Sequence, residues 1–421
     1  MTARRPPFVF PDGDDWIVFL PDDHLLLRTN AAAAARFAAL DAADVRRRPT
    51  PSSPRRLEFA PTRVTVSPVH GCAQRCVYCY GTPAHRNGAR LDPNFARAGI
   101  GLAAGHAAAQ GRRLDVHFHG VGEPTLAWDA FVACVDAAED AASEHGVEAR
   151  LDLCTGGQVD ADRARFISER FDTVAVSIDG PAEIQNAQRP RADGADSLAR
   201  PLALAREHAG RRKTVTVKAT VTRDSVDRMI DLVDFVASEI GLVHLDLGMM
   251  FAPPWVDPGR SAAPSWRDFV SGFAAALDRG AEVGVCVEHP SIRRDMLLAD
   301  DRLHGVHLCL APPDLVTAYY DVPREGRDGP CGGVFGRWDR ASGRLILDRE
   351  RLQELVHDPG DPRCEACPCR SACFGPGGVK GRMPENRQLT ESVCHARVGV
   401  LREILRRSAP ARTGPTLEAT T

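Results

Sequence analysis

In the stretch GCAQRCVYCYG, Gly71 to Gly81, three side chains can hold metal: Cys72, Cys76 and Cys79. Three thiols fall short of a closed zinc site, which takes four ligands; a catalytic zinc keeps three plus water. Three are also odd for disulfides. A cubane iron–sulfur cluster takes one thiolate per iron, so the spacing Cys-x3-Cys-x2-Cys leaves one iron open to a chelating ligand. By itself that spacing is shared with zinc sites. A second field holds Cys364, Cys367, Cys369 and Cys373, with Cys394 beyond and Cys309 and Cys331 before it. Cys134, Cys154 and Cys286 stand outside both fields and read as small buried hydrophobes.

The elements that position these residues show as a repeated pattern. Apolar strand segments fall at Arg63–Ser67, Leu114–His119, Arg150–Cys154, Thr173–Ile178, Thr214–Thr220 and Leu242–Met249. Helical stretches intervene, among them Pro93–Ala109 capped by Asp92, Ala127–His145, Ala161–Glu169 and Val226–Ile240. Six strands alternating with helices predict an α/β fold with a parallel sheet, an open partial (β/α)6 barrel rather than the closed eight-stranded form. Chemistry in such sheets gathers beyond the carboxyl ends of strands. Cys72, Gly122-Glu123 and Asp179 all follow strand ends.

Before this pattern, Trp16–Leu20 and His24–Arg28 read as two strands, followed by an Ala-rich helix capped by Asn30. Asp44–Arg56 reads as a linker. From about Asp300 Gly, Pro and Cys concentrate, predicting a loop-rich region ordered by metal. A helix at Glu391–Arg407 closes the fold, and the tail SAPARTGPTLEATT reads as disordered. The division expected is 1–58, 59–299, 300–407 and 408–421.

Bulk properties narrow the classes. Across 421 residues, 53 Lys and Arg face 56 Asp and Glu, a net charge of −3. That balance gives no electrostatic reason for a nucleic-acid or anionic-membrane partner. The N-terminus has no signal-like apolar region, and no stretch has eighteen uninterrupted apolar residues. A cytoplasmic location is expected. In that reducing compartment thirteen cysteines read as metal ligands or buried thiols.

Cys72-Ala-Gln-Arg-Cys76-Val-Tyr-Cys79 resembles the signature of the radical S-adenosylmethionine (SAM) superfamily, including aromatic Tyr78 before the last cysteine. The resemblance implies a [4Fe–4S] cluster that binds SAM, and a 5′-deoxyadenosyl radical that abstracts hydrogen from substrate. FHGVGEPT, Phe118 to Thr125, resembles the family's Gly-Gly-Glu-Pro segment, which implies that Gly120, Gly122, Glu123 and Pro124 meet the SAM amine. VAVSIDGPAEIQNAQRP, Val174 to Pro190, resembles the Ser-Ile/Leu-Asp-Gly-Pro segment of the subgroup of peptide and sulfatase maturases. Ser177 carries over toward SAM, and Asp179 toward organising the turn. Relatives often carry His-Asp where this chain has Gln185-Asn186. Lys218 stands where a basic partner for the SAM carboxylate is expected, and Thr155-Gly156-Gly157 takes the place of the relatives' Thr-Asn-Gly. His117 and His119 read as wall histidines.

The second cysteine field resembles the SPASM domain of the same subgroup, implying one or two auxiliary [4Fe–4S] clusters. Cys364, Cys367, Cys373 and Cys394 match the outer cluster's ligands. For the inner cluster, Gly377 and Tyr319 or Tyr320 stand where relatives carry cysteine. Either it is lost, or Cys309, Cys331 and Cys369 form a three-thiolate site. The first 58 residues read as a strand–strand–helix cap over the barrel's open bottom; their resemblance to small peptide-recognition modules gives the alternative.

The resemblance implies a cytoplasmic radical SAM enzyme acting on a ribosomally synthesised precursor peptide to install a crosslink or other modification. Its electron donor would be a ferredoxin or flavodoxin, and it would have neither nucleic-acid nor membrane partners. A sulfatase-maturase-like oxidation of Ser or Cys is the alternative within the class. A non-catalytic zinc- or cluster-stabilised binding protein is the alternative outside it. Asp224, Asp246 and Glu288 are candidate bases by strand-end position only.

Overall fold

The computed structural model describes residues 5–39, 59–81, 88–250, 256–293, 307–318, 333–356, 364, 366–369 and 390–411. At the N-terminus β1 (Phe8–Asp12), β2 (Asp15–Leu20) and β3 (Leu25–Thr29) form an antiparallel three-stranded sheet. The sequence predicted only the last two of these strands. β1 contains Pro11, a residue tolerated on an edge strand because no ladder hydrogen bond there needs its missing N–H. α1 (Ala31–Ala38) follows, with Asn30 Oδ1 accepting from the Ala33 N–H at 2.9 Å as expected of an N-cap.

The main sheet opens with β4 (Arg63–Val66), β5 (Leu114–Phe118), β6 (Ala149–Thr155), β7 (Thr173–Ser177), β8 (Thr214–Val221), β9 (His244–Met249) and β10 (Cys286–Glu288). All seven run parallel, each beside the next in chain order. The six predicted strands are present. β10 was missed because three residues are too few to show a period. The intervening helices are α2 (Pro93–Gln110), α3 (Trp128–His145), α4 (Ala161–Arg170), α5 (Ala182–Gln188), α6 (Ala199–Gly210), α7 (Met229–Glu239) and α8 (Trp266–Val283). A 3-10 turn at Val226–Arg228 leads into α7. α2 begins at Pro93 with Asp92 accepting from the Asn94 N–H, as the sequence predicted.

Alternation gives the parallel strands two unlike faces. One carries Val64, Val66, Val116, Phe118, Leu151, Leu153, Val174, Val176, Val217, Leu245 and Leu247, all buried. It packs on the helices, with Phe118, Phe131 and Phe171 in mutual ring contact. The other face carries polar side chains in register rows. Thr65, His117 and Asp152 form one row, and Ser177, Lys218, Asp246 and Glu288 another. Strands of a parallel sheet covered on both sides are usually apolar throughout. A polar inner face marks a chamber.

The region after residue 300, predicted to be mostly loop, adds strands to the same sheet. β11 (Leu308–Ala311) joins β4 in parallel, and β12 (Leu315–Thr317), β13 (Val334–Asp339) and β14 (Arg344–Leu347) continue antiparallel. β11 is only four residues, but all four are buried. Its Leu310 lies so close to α2 that a Cβ on Gly99 would stand 2.5 Å from Leu310 Cδ1. The eleven strands form an open sheet with β10 and β14 at its ends. α9 (Arg349–Val356) and α10 (Thr390–Ser408) complete the described chain; α10 was predicted, and its Leu401 and Leu405 are buried. Among the described residues no helix is long and apolar enough to cross a membrane.

Candidate functional site

The segment after β4 carries Cys72, Cys76 and Cys79, all half-buried. Its backbone is held against the segment that follows α5: Arg75 N–H donates to Pro190 O at 2.7 Å and Val77 N–H to Gln188 O at 2.9 Å. Ala192 N–H donates back to Ala73 O. Inside the loop Cys79 N–H donates to Cys76 O, and Cys72 Sγ accepts from the Gln74 N–H at 3.4 Å. Burial, with Glu123 nearby, pushes the Cys72 thiol up to about 12. Burial also pushes Cys76 up to about 11, against the pull of the Arg189 guanidinium. Each thiol must therefore give up a proton when it takes a metal.

Among the described residues only His244, Cys286 and Glu288 bring three ligand atoms within 4.8 Å of one another. The three loop cysteines do not all lie within that distance of one another.

The loop after β5 closes over the cysteines through its glycines. Gly122 has φ +129°, and a Cβ there would stand 2.5 Å from Val69 O. A Cβ on Gly120 would stand 2.3 Å from Ser67 Oγ. Only glycine permits both approaches. Glu123 N–H donates to Gly71 O at 2.7 Å, and Pro124 is buried beside it. The Glu123 carboxylate is also buried. It accepts from the Thr125 N–H and Oγ1, from Thr155 Oγ1 at 2.6 Å and from the Gly156 N–H at 2.6 Å. Glu123 thus joins three loops, its carboxylate tying the loop after β5 to the end of β6 and its N–H tying it to the loop after β4. Oε1 takes three of those donors and Oε2 one, which leaves Oε2 the less committed oxygen.

Beyond β7, Asp179 is buried and organises the turn, as the sequence suggested. Its Oδ1 accepts from the Thr220 N–H at 2.9 Å and its Oδ2 from Gln188 Nε2 at 2.9 Å and from the Tyr78 hydroxyl. Gln185 Oε1 accepts from the Asp179 N–H, and Gln185 Nε2 donates to Ser177 O. So Gln185 holds the strand end in shape, while Asn186 pairs with Asp196 and Ser197 outside it.

Arg189 was not singled out from the sequence. Its Nη1 donates to the Tyr78 hydroxyl at 2.6 Å and lies 3.6 Å from Asp179 Oδ1. Its guanidinium carbon is 5.8 Å from the Tyr78 ring centre. Nε is buried and has no hydrogen-bond partner among the described residues. That is a cation beside Cys76 with a donor to spare, which suits an anionic group next to the cysteines. The signal in the sequence was Pro190: a residue before proline is driven from the helical region. Arg189 indeed ends α5 at φ −126°, ψ 50°. Burial and the negative neighbours Asp179 and Cys76 keep the Tyr78 phenol well above its usual range.

Lys218 sits beside Ser177 in register, and its Nζ donates to Asp246 Oδ2 at 3.0 Å. Burial opposes its charge, but Asp246 and Cys154 act together against it and its pKa is raised. Cys154, half-buried, lies on the same polar face as this pair, and burial raises its thiol. His117 is a wall residue, 3.2 Å from Asp152 and pushed down to about 4 by burial. Asp224 is exposed on a loop at the edge of this chamber, bonded by Arg223.

In the second field, Cys309 lies buried on β11 and Cys369 is buried, while Cys364, Cys367 and Cys394 are half-buried. Cys367 N–H donates to Cys364 O at 3.2 Å. A hydrogen bond from Cys369 pulls the Cys367 thiol down to about 6, against burial, favouring the thiolate that metals bind. Cys331 and Cys373 lie outside the described residues, as do Tyr319, Tyr320 and Gly377. Cys134 is buried as expected. Cys286 is not: it is exposed on β10, the strand that ends the sheet among the described residues.

Residues 66–236 match the model of the Radical SAM superfamily. The fold is similar to that of anSMEcpe, an anaerobic sulfatase maturase, solved with bound AdoMet: 16% identity, 82% of this chain and 97% of that one, TM-score 0.60. The form with AdoMet and the Cp18Cys peptide gives 17% identity, 82% and 98% coverage and TM-score 0.61. Streptococcus suis SuiB bound to S-adenosylmethionine, a RiPP maturase, gives 16%, 79% and 77%, and 0.55. No curated protein matches the sequence.

Proposed function

The chain carries a radical SAM domain over residues 66–236, and from that premise we propose that it is a maturase acting on a ribosomally made peptide, where hydrogen abstraction starts a crosslink or another modification. The observation that carries this reading is the cysteine loop: three half-buried thiols in a Cys-x3-Cys-x2-Cys spacing beyond the first parallel strand. When bound, a [4Fe–4S] cluster with SAM on its open iron supplies the electron that yields the 5′-deoxyadenosyl radical. Cys72, Cys76 and Cys79 hold the cluster. Gly120, Gly122, Glu123 and Pro124 close one side of the SAM seat, and Ser177 with Tyr78 the other.

Of the two cations, Arg189 is the better placed to offset a carboxylate. It faces Cys76 with a free Nε donor, whereas Lys218 is held by Asp246. Cys364, Cys367, Cys373 and Cys394 hold an auxiliary cluster, supported by the depressed Cys367 thiol. Cys309, Cys331 and Cys369 are the ligands of a second. An extended peptide fits an open sheet with a polar chamber. The similar fold of a maturase solved with a peptide supports that substrate class. A ferredoxin or flavodoxin in the cytoplasm would deliver the electron.

The second reading, oxidation of a Ser or Cys in a sulfatase-type motif, is favoured by the higher TM-score of anSMEcpe, 0.60 against 0.55 and 0.52 for the two SuiB structures. Anaerobically reconstituted protein with SAM and dithionite separates the two. A peptide encoded beside the gene that changes mass favours the first, and turnover of a sulfatase-motif peptide favours the second. Absence of reductant-dependent 5′-deoxyadenosine would remove both.

A further inference from the structure

β9 and β10 run parallel at one end of the main sheet, and their register sets Cys286 beside His244 and Glu288 beside Asp246. Alternation along β10 turns Cys286 and Glu288 to the same face. An imidazole nitrogen, a thiol sulfur and a carboxylate oxygen therefore lie within 4.8 Å of one another. His244 Nδ1 is 3.2 Å from Glu288 Oε2. None of the three is among the residues assigned above to the cluster or to SAM, although Glu288 shares a sheet row with Ser177 and Lys218. We propose that His244, Cys286 and Glu288 form a mononuclear zinc site with three protein ligands and one open position.

The donor set is the first reason. Imidazole, thiolate and carboxylate are the ligands zinc takes, with bonds of about 2.0–2.3 Å that set tetrahedral edges of about 3.3–3.8 Å. The His244–Glu288 contact is already close to that edge, and the sulfur comes into range by rotation of its side chain. Charge is the second. One thiolate and one carboxylate offset a divalent cation beside a neutral imidazole, with the Arg293 guanidinium against Glu288 remaining as a positive neighbour.

The surroundings are the third reason. Arg293 Nη2 donates to Glu288 Oε2 at 2.7 Å, the kind of outer hydrogen bond that orients a ligating carboxylate. In the same row Asp246 is buried, and its Oδ1 has no hydrogen-bond partner among the described residues. Its other oxygen is paired with Lys218 at 3.0 Å, so Oδ1 offers that face a spare acceptor without a net charge. Cys286 is exposed, so an ion and a fourth donor, water or an incoming group, reach the site from solvent. Zinc here would tie the short terminal strand β10 to β9. The inference stands independently of the radical chemistry.

Full-length protein with its clusters reconstituted, incubated anaerobically with zinc chloride and desalted, tests it by counting zinc and iron and by zinc-edge X-ray absorption. About one zinc per chain with one sulfur neighbour is expected. His244→Ala and Cys286→Ser should each lower zinc retention at least about 10-fold with iron unchanged, and Arg293→Ala should weaken zinc about 10- to 100-fold. No retained zinc in the wild type overturns the proposal, as does zinc that persists in both ligand variants. Zinc with three or four sulfur neighbours also overturns it, because the ion is then on the other cysteines. Should either variant lose iron as well, the near-isosteric Glu288→Gln decides: zinc retained there overturns the site, and zinc lost with iron intact upholds it.

Discussion

Cys76 and Arg189 define the chemistry at the scale of single residues. Cys76 is one of three thiols, so Cys76→Ala leaves the cluster with two protein ligands. Reductant-dependent 5′-deoxyadenosine should fall to background, measured by chromatography after anaerobic reconstitution; full cleavage would refute the main site. Arg189 is a largely buried charge whose partners are the buried Asp179 and the half-buried Tyr78. Removing one member of such a pair costs about 3–5 kcal/mol because the other is left uncompensated. Arg189→Met should lower the urea midpoint accordingly. Tyr78→Phe, which leaves the Arg189–Asp179 contact in place, should cost only about 1–2 kcal/mol. Equal losses in the two variants would refute this division of roles.

At the scale of elements, the site depends on strand ends brought within touching distance. Gly122 lets the loop after β5 pass Val69 and Gly71 at a φ of +129°. Gly122→Ala adds a strained backbone and a clash with two carbonyl oxygens, so stability should fall by at least about 2 kcal/mol. SAM affinity, measured by equilibrium dialysis, should fall with it. On the far side α10 packs on α8, where a Cβ on Gly399 would stand 2.5 Å from Val270 Cγ2. Leu401, fully buried in α10, should cost about 2–5 kcal/mol as Leu401→Ala. Loss of that order by denaturant unfolding would establish that α10 is integral to the core, and a loss under 1 kcal/mol, in order of magnitude, would deny it.

For the whole molecule, pH dependence follows from buried neutral imidazoles. His208 is fully buried, and burial pushes its pKa from 6.5 down to about 4. In the unfolded chain it takes a proton below about 6.5, but in the fold it does so only near 4. Its contribution is therefore complete above pH 6.5 and lost as pH falls toward 4, with a slope of up to about 1.4 kcal/mol per pH unit. Unfolding midpoints measured across that window should decline on acidification, and His208→Leu should flatten the decline. An unchanged slope in the variant would show that other groups dominate.

Sequence alone determined the alternation of strands and helices, the caps at Asn30 and Asp92, and the placement of the cysteine loop after the first parallel strand. Those features are local: they depend on periods of two and 3.6 residues and on the chemistry of a few side chains. It failed where the deciding contacts are distant. β11 is four residues long and exists because β4 offers it an edge. Arg189 points at Tyr78, more than a hundred residues earlier in the chain. Cys286 read as a core thiol, yet it lies exposed on a terminal strand beside His244, where only sheet register could bring them together. Which residues share a row across a sheet, and which strand is left at its edge, are set by the pairing of segments far apart in sequence, and no local pattern encodes that.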